Sequence, residues 1–166
     1  NSQPAARALL DPFGLVSWPG AVVAAQELAL FPPFIQHKRV LVLGAGVGIE
    51  AQAVAMLGAK SVMATDVHPT TLKLLQYGAD QAGLSDTITT AIFDLFSTDP
   101  LPDCDLIVVA DVLYNERLAA QVAVRCLEAR SQCLTPPPVI LVSDSQRFVH
   151  KFEGDLNQKL SSIGAG

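Results

Sequence analysis

Arg39-Val-Leu-Val-Leu43, running directly into Gly44-Ala45-Gly46-Val47-Gly48, sets a short apolar run against a glycine-rich turn. An apolar run without polar alternation, ending in glycines, reads as a strand covered on both faces, as in a parallel sheet. A turn so tight needs positive φ, and backbone N–H groups brought against a ligand leave no room for Cβ atoms, so glycine is the residue the geometry demands. From Ile49 to Leu57 small and apolar residues recur at helical spacing, and Gly58 stands where a left-handed C-terminal cap belongs. The stretch therefore predicts a buried strand, a glycine loop and a crossover helix.

Outward from this unit the same alternation continues. Ser61-Val-Met-Ala-Thr65 reads as a second strand ending at Asp66, and Pro69 opens a helix through Leu72, Leu75, Tyr77 and Ala79 that stops at Gly83. Further strands are expected at Thr87 to Phe93, Asp105 to Ala110 and Val139 to Val142, the last behind the stop Pro136-Pro137-Pro138. Between the last two, Glu116 to Leu134 reads as a helix with Leu118, Val122, Cys126 and Leu127 on one stripe. Ala21 to Leu30 is a further apolar helix ahead of the sheet, and His150 reads as a surface helix residue. The pattern predicts an α/β fold, a doubly wound, mostly parallel Rossmann-like sheet with helices on both faces. It implies a single domain over 1–166, with an N-terminal helical segment at 1–35 and a core at 36–160.

Composition narrows the function classes. Half of the 166 residues are hydrophobic, which excludes disorder, and 11 Lys+Arg against 16 Asp+Glu leave a net charge of −5 with no basic cluster, which disfavours nucleic acid as a partner. Apolar stretches are broken by Gly, Pro or a charge well short of the roughly twenty residues of a spanning helix, so no membrane partner is expected. Cys104, Cys126 and Cys133 form no C-x-x-C pair and sit in or beside apolar segments, which suits reduced, partly buried thiols. A cytoplasmic location is expected, with a mitochondrial or other organellar one after removal of a targeting segment as the alternative, and a monomer is expected. His37 and His68 lack partners at zinc-ligand spacing, so no metal site is read.

The chemistry-bearing residues sit at strand ends. A dinucleotide fingerprint would place its third glycine at position 49, which is Ile49; here it comes one residue early, at Gly48. The compressed G-x-G-x-G suits a nucleoside cofactor without a pyrophosphate, with Gly44, Gly46 and Gly48 approaching the amino-acid end of S-adenosylmethionine. Asp66, about twenty residues further on, is placed to accept from both ribose hydroxyls. Asp94, after the third strand, is placed for the exocyclic amine of adenine, with a turn-forming role as the competing reading. Asp111 and Tyr114 follow the fourth strand, where the chain reverses direction in the sheet and substrate should meet cofactor. There a carboxylate can orient an amine and an aromatic ring can line a cationic site. Trp18, by itself, reads as a core anchor.

VLVLGAGVG, the TD at 65–66, the FD at 93–94 and the ADVLY at 110–114 resemble, in order and interval, the seven-strand (class I) S-adenosylmethionine-dependent methyltransferases. SWPGAVVAAQEL (17–28) together with D-V-L-Y is similar to their protein-lysine methyltransferase branch, and SDSQR (143–147) adds to the likeness. The resemblance implies S-adenosyl-L-methionine as cofactor, held by Gly44, Gly46, Gly48, Asp66, Asp94, Ala110 and a bordering Trp18. It implies Asp111 and Tyr114 as catalytic residues at the substrate amine, and a protein carrying a target lysine as partner. The sixth and seventh strands of that fold are not legible here, since only Phe148 to Leu160 and a Ser/Gly tail follow the fifth. N-methylation of a small amine or a pyridine such as nicotinamide, and an inactive cofactor-binding module, remain open alternatives.

Overall fold

The computed structural model describes residues 12–131, 136–145 and 147–164. Strands β1 (Arg39–Leu43), β2 (Ser61–Asp66), β3 (Ile88–Ile92), β4 (Leu106–Ala110) and β5 (Val139–Ser143) alternate with helices. These are α1 (Pro19–Leu30), α2 (Ile49–Met56), α3 (Pro69–Gln81), α4 (Glu116–Ser131) and α5 (Val149–Gly164). The sheet is parallel throughout, in the order β3-β2-β1-β4-β5, with Val42 of β1 in register with Ala64 of β2 and Val108 of β4. The expected doubly wound α/β sheet is therefore present, with five strands among the described residues.

Alternation of side chains across the sheet explains why β1 and β4 carry no polar residue past Arg39. Val40, Val42, Leu106, Val108 and Ala110 join Ala24, Leu28, Val54 and Leu75 in one core. Leu41, Leu43, Ile107 and Val109 join Leu118, Val122, Cys126 and Phe152 in a second core on the opposite face. Full burial of each such Leu or Val contributes about 1.5–3 kcal/mol, an upper bound against an extended chain. Ala24 of α1 and Ala51 of α2 are completely buried, small residues that let these helices lie close to the sheet.

From β1 the chain winds through β2 to β3 on one side, then returns to β4 on the other. The carboxyl ends of β1 and β4 thus feed connections that diverge to opposite faces, and a crevice opens between them. The β3–β4 connection is pinned by Arg125 of α4, a buried guanidinium that donates to the carbonyls of Leu95, Ser97 and Asp99 and pairs with Glu128. Sequence periodicity places Arg125 beside Cys126 but does not show that its charge is spent on this loop.

Several boundaries differ from expectation, β4 starting one residue later at Leu106 and β5 ending one residue later at Ser143. Helix α1 starts at Pro19, two residues before Ala21, because proline presets the φ of the first helical position and needs no N–H partner there. The third strand is shorter by a residue at each end. Ser161 to Gly164, expected as a tail, continue α5; the Ser161 and Ser162 hydroxyls donate to the carbonyls of Asn157 and Lys159 in the preceding turn. The end of the helix expected to reach Leu134, Cys133 within it, Gln146 of SDSQR and residues 1–11 lie outside the described residues. Cys104 and Cys126 are buried free thiols, and no described helix is long and apolar enough to cross a membrane.

Candidate active site

The physical sense of the Trp18-Pro19-Gly20 run lies in a carboxylate ninety-one residues away. A residue before proline is held extended, and Trp18 has φ −98° and ψ 145°. Pro19 then starts α1, leaving the N–H of Gly20 as an orphan donor of the first turn. That N–H donates to Asp111 Oδ2. A Cβ at position 20 would sit 2.6 Å from Asp111 Cγ, so only glycine admits the carboxylate. The arrangement places a negative charge at the positive end of the α1 dipole.

Asp111 is bound on its other sides as well. Its Oδ1 accepts from the Ser145 backbone N–H at 2.8 Å, the Ser145 hydroxyl at 2.7 Å and Arg147 Nη2 at 3.0 Å. Arg147 Nη2 also donates to the Asp111 carbonyl at 2.7 Å, and its guanidinium lies 5.2 Å from the centroid of the Trp18 ring. The Asp111 side chain is 1% exposed and the residue has φ +54°. Burial raises its carboxyl pKa, but hydrogen bonds from Ser145 and Gly20 and the charge of Arg147 outweigh burial and hold it below the ordinary value. The structure thus engages both Asp111 oxygens inside the protein, joining the start of α1 to the ends of β4 and β5. Sequence reading missed Gly20, Ser145 and Arg147 as its partners, although all three belong to motifs already singled out.

Gly44, Gly46 and Gly48 all have positive φ, at +71°, +51° and +82°. Their reasons differ. A Cβ at Gly48 would lie 2.4 Å from Cγ of the fully buried Leu75, whereas one at Gly46 would meet only the Gly14 carbonyl, at 3.6 Å. Gly48 therefore serves packing, and Gly46 leaves open the cradle that a ligand would approach. The loop is stitched to β2: Ala45 N–H donates to the Thr65 carbonyl at 2.8 Å and Gly46 N–H to Asp66 Oδ2 at 3.0 Å. Asp66 Oδ1 accepts from His68 N–H at 2.9 Å, which turns the chain into α3. Gly48→Ala is expected to cost about 1–2 kcal/mol for its left-handed backbone alone, plus the strain at Leu75. Gly46→Ala should cost less stability and mainly weaken ligand binding, as melting curves with and without S-adenosylhomocysteine would show.

Trp18, Gly44, Gly46, Gly48 and Ala110 line one crevice, with Val16 and Ser17 across it. The space between these residues is narrow and opens to solvent, with an empty volume of about 260 Å³. Four expected residues, Asp66, Asp94, Asp111 and Tyr114, are not in this lining; Asp66 and Asp111 flank it through the hydrogen bonds given above. Asp94 is exposed and accepts from Phe96 N–H at 2.8 Å, the turn-forming role weighed above. Tyr114, three residues past Asp111, is 58% exposed.

The crevice holds one residue that sequence reading missed. Glu50, second residue of α2, is 2% exposed and lines the crevice beside the glycine loop. Loss of solvent pushes its carboxyl pKa up to about 7, reinforced by the negative charges of Asp66 and Asp111 and opposed by its own backbone N–H. The signal was present in the sequence, since Glu50 lies four residues before the buried Val54 and so on the same helical stripe. The groups present fit the expected cofactor: a glycine cradle, an accepting carboxylate at the end of β2 and a buried carboxyl at the start of α2.

A family model described as lysine methyltransferase matches residues 10–161. Among characterised relatives, the electron transfer flavoprotein beta subunit lysine methyltransferase of Rattus norvegicus is 32% identical over 113 residues, covering 66% of this chain and 42% of that protein. Its Homo sapiens counterpart is 30% identical over 121 residues, covering 66% and 41%. This chain thus spans about two-fifths of the length of these relatives. In solved structures, the Trypanosoma brucei PRMT1 enzyme–prozyme heterotetrameric complex with AdoHcy superposes with a TM-score of 0.59 at 20% identity, over 80% of this chain and 44% of that one, a likeness of fold.

Proposed function

Because the chain belongs to the lysine methyltransferase family, we propose that it transfers a methyl group from S-adenosylmethionine to the side-chain amine of a lysine in a protein. The observation that carries this reading is the clamp of Trp18-Pro19-Gly20 onto Asp111, which sets the start of α1 against the glycine loop at the carboxyl ends of β1 and β4. S-adenosylmethionine supplies an electrophilic methyl group on a positively charged sulfur. The protein's part is to hold and orient. Gly46 leaves the approach open, and Asp66, already fixed by two backbone N–H groups, keeps further lone pairs for ribose hydroxyls. Asp111 acts as a positioning residue, because its oxygens are occupied by Gly20, Ser145 and Arg147. The exposed ring of Tyr114 is the group that meets an arriving lysine, whose cationic form is attracted to an aromatic face before the proton leaves. An unperturbed lysine, with a pKa of about 10.4, must lose that proton before its nitrogen can accept a methyl group.

The electron transfer flavoprotein beta subunit, which names the two relatives, is the first substrate to test. The proposal extends to a reducing compartment such as the cytoplasm, in keeping with the buried free thiols of Cys104 and Cys126. The full chain is incubated with methyl-labelled S-adenosylmethionine and that subunit, and the label is located by mass spectrometry. Label on a lysine is expected. The binding step has its own readout: Trp18 is the only tryptophan and lines the crevice, so S-adenosylhomocysteine should change intrinsic fluorescence and NADH should not. Binding without label on this subunit or on any protein of a lysate would reduce the activity to that of a cofactor-binding module.

A further inference from the structure

We propose that Glu50 pairs with the α-ammonium group at the methionine end of S-adenosylmethionine and couples cofactor binding to the release of a proton. The inference rests on the reading that this chain binds that cofactor. An acid in the first turn of a helix is ordinary at the surface, where the helix dipole stabilises it and water solvates it. Glu50 is instead 2% exposed, in the wall of the crevice. Burying a carboxyl is costly unless a partner compensates, and among the described residues the elements around α2 bring no cation to it, Lys73 and Asp80 of α3 being exposed. Helix α1 carries only Glu27 as a charged residue, and that residue is exposed. Strand β1 carries only Arg39, which begins the strand at the end away from the glycine loop and pairs with Asp105. Strand β2 ends in Asp66, and β3 has no charged residue. The remaining charge acting on Glu50, Asp111, is also negative.

A buried acid whose described charged neighbours are all acids, and which has only its own backbone N–H as a donor, is about half protonated at pH 7, and the partner it calls for is a cation entering the crevice. Of the two cationic centres of S-adenosylmethionine, the ammonium has N–H donors that satisfy carboxylate lone pairs, and the sulfonium has none. On binding, the Glu50 O–H bond breaks, its proton passes to the buffer, and the carboxylate oxygens accept from the ammonium, which keeps its own protons. S-adenosylhomocysteine carries the same ammonium and is therefore the suitable probe. 5′-Methylthioadenosine, which lacks the amino acid, is the control.

The experiment is titration calorimetry of the full chain with each probe in buffers of different ionisation enthalpy. With S-adenosylhomocysteine at pH 6, release of about one proton per ligand is expected, fading by pH 8 as Glu50 ionises in the free protein. Methylthioadenosine should release none. Glu50→Gln should abolish the release and weaken S-adenosylhomocysteine about tenfold or more, while methylthioadenosine affinity stays unchanged. Buffer-independent heats for S-adenosylhomocysteine, or release that survives Glu50→Gln, would overturn the role of Glu50 while leaving the cofactor assignment standing. If S-adenosylhomocysteine does not bind at all, the cofactor assignment and the role of Glu50 fall together.

Discussion

Asp111→Ala is expected to lower stability by about 3–5 kcal/mol, the cost of removing one partner from a buried charged network. Two consequences combine. The Gly20 N–H, the Ser145 N–H and hydroxyl, and a guanidinium of Arg147 all lose their acceptor at once. Alanine must also adopt φ +54°, a conformation that asparagine and aspartate tolerate better. For a chain of this size the melting midpoint should fall by roughly 10 °C or more. Asp111→Asn separates these effects, since it keeps the backbone conformation and one acceptor oxygen but loses the charge facing Arg147, and about half the destabilisation is expected. The pH dependence has a definite sign. The folded Asp111 carboxyl titrates below the ordinary value, so its contribution is fully present above that value and is lost only as pH falls through the depressed one. The gap between wild type and Asp111→Ala should persist from pH 8 to pH 5, changed there only by the small contribution of Asp111 to the Glu50 titration, and narrow strongly only in acid. A gap that closes already near neutrality would show that the carboxylate is not bound as the structure places it.

The second large effect has the opposite sign. Glu50 titrates at about 7 in the folded protein against an ordinary 4.5, so between those values the folded chain binds a proton that the unfolded chain has released. Stability therefore falls as pH rises through this window and levels off above it. The full penalty at pH 8 is of order 3 kcal/mol. Glu50→Gln should remove most of it, making the variant more stable than wild type by about 1–3 kcal/mol at pH 8 and nearly equal to it at pH 5. Denaturant melts at the two pH values measure this directly, and a wild-type stability independent of pH between them would contradict it. The same substitution is expected to weaken S-adenosylhomocysteine, so stability and binding should move in opposite directions, as they do where a site keeps a costly group for its ligand.

The two effects show where sequence reading ends. Residues 39–58 determined the fold locally, because a strand buried on both faces needs an unbroken apolar run and the turn beyond it needs glycine; both requirements act between neighbours in the chain. The same holds for the placing of Asp66 at the end of β2 and for the strand-and-helix rhythm that dictates a parallel sheet. The position of Asp111 after β4 was likewise legible, but the direction of its carboxylate was not. That direction depends on Gly20 and Ser145, held 91 and 34 residues away in the chain and brought together only by the sheet order β1-β4-β5 and the seating of α1 across it. Glu50 makes the same point from the other side. Its identity as an acid and its place on the α2 stripe belong to the sequence, while its burial, and hence its charge, belongs to the tertiary structure. A pKa responds to solvent and to charges through space, and only the folded chain decides which charges those are.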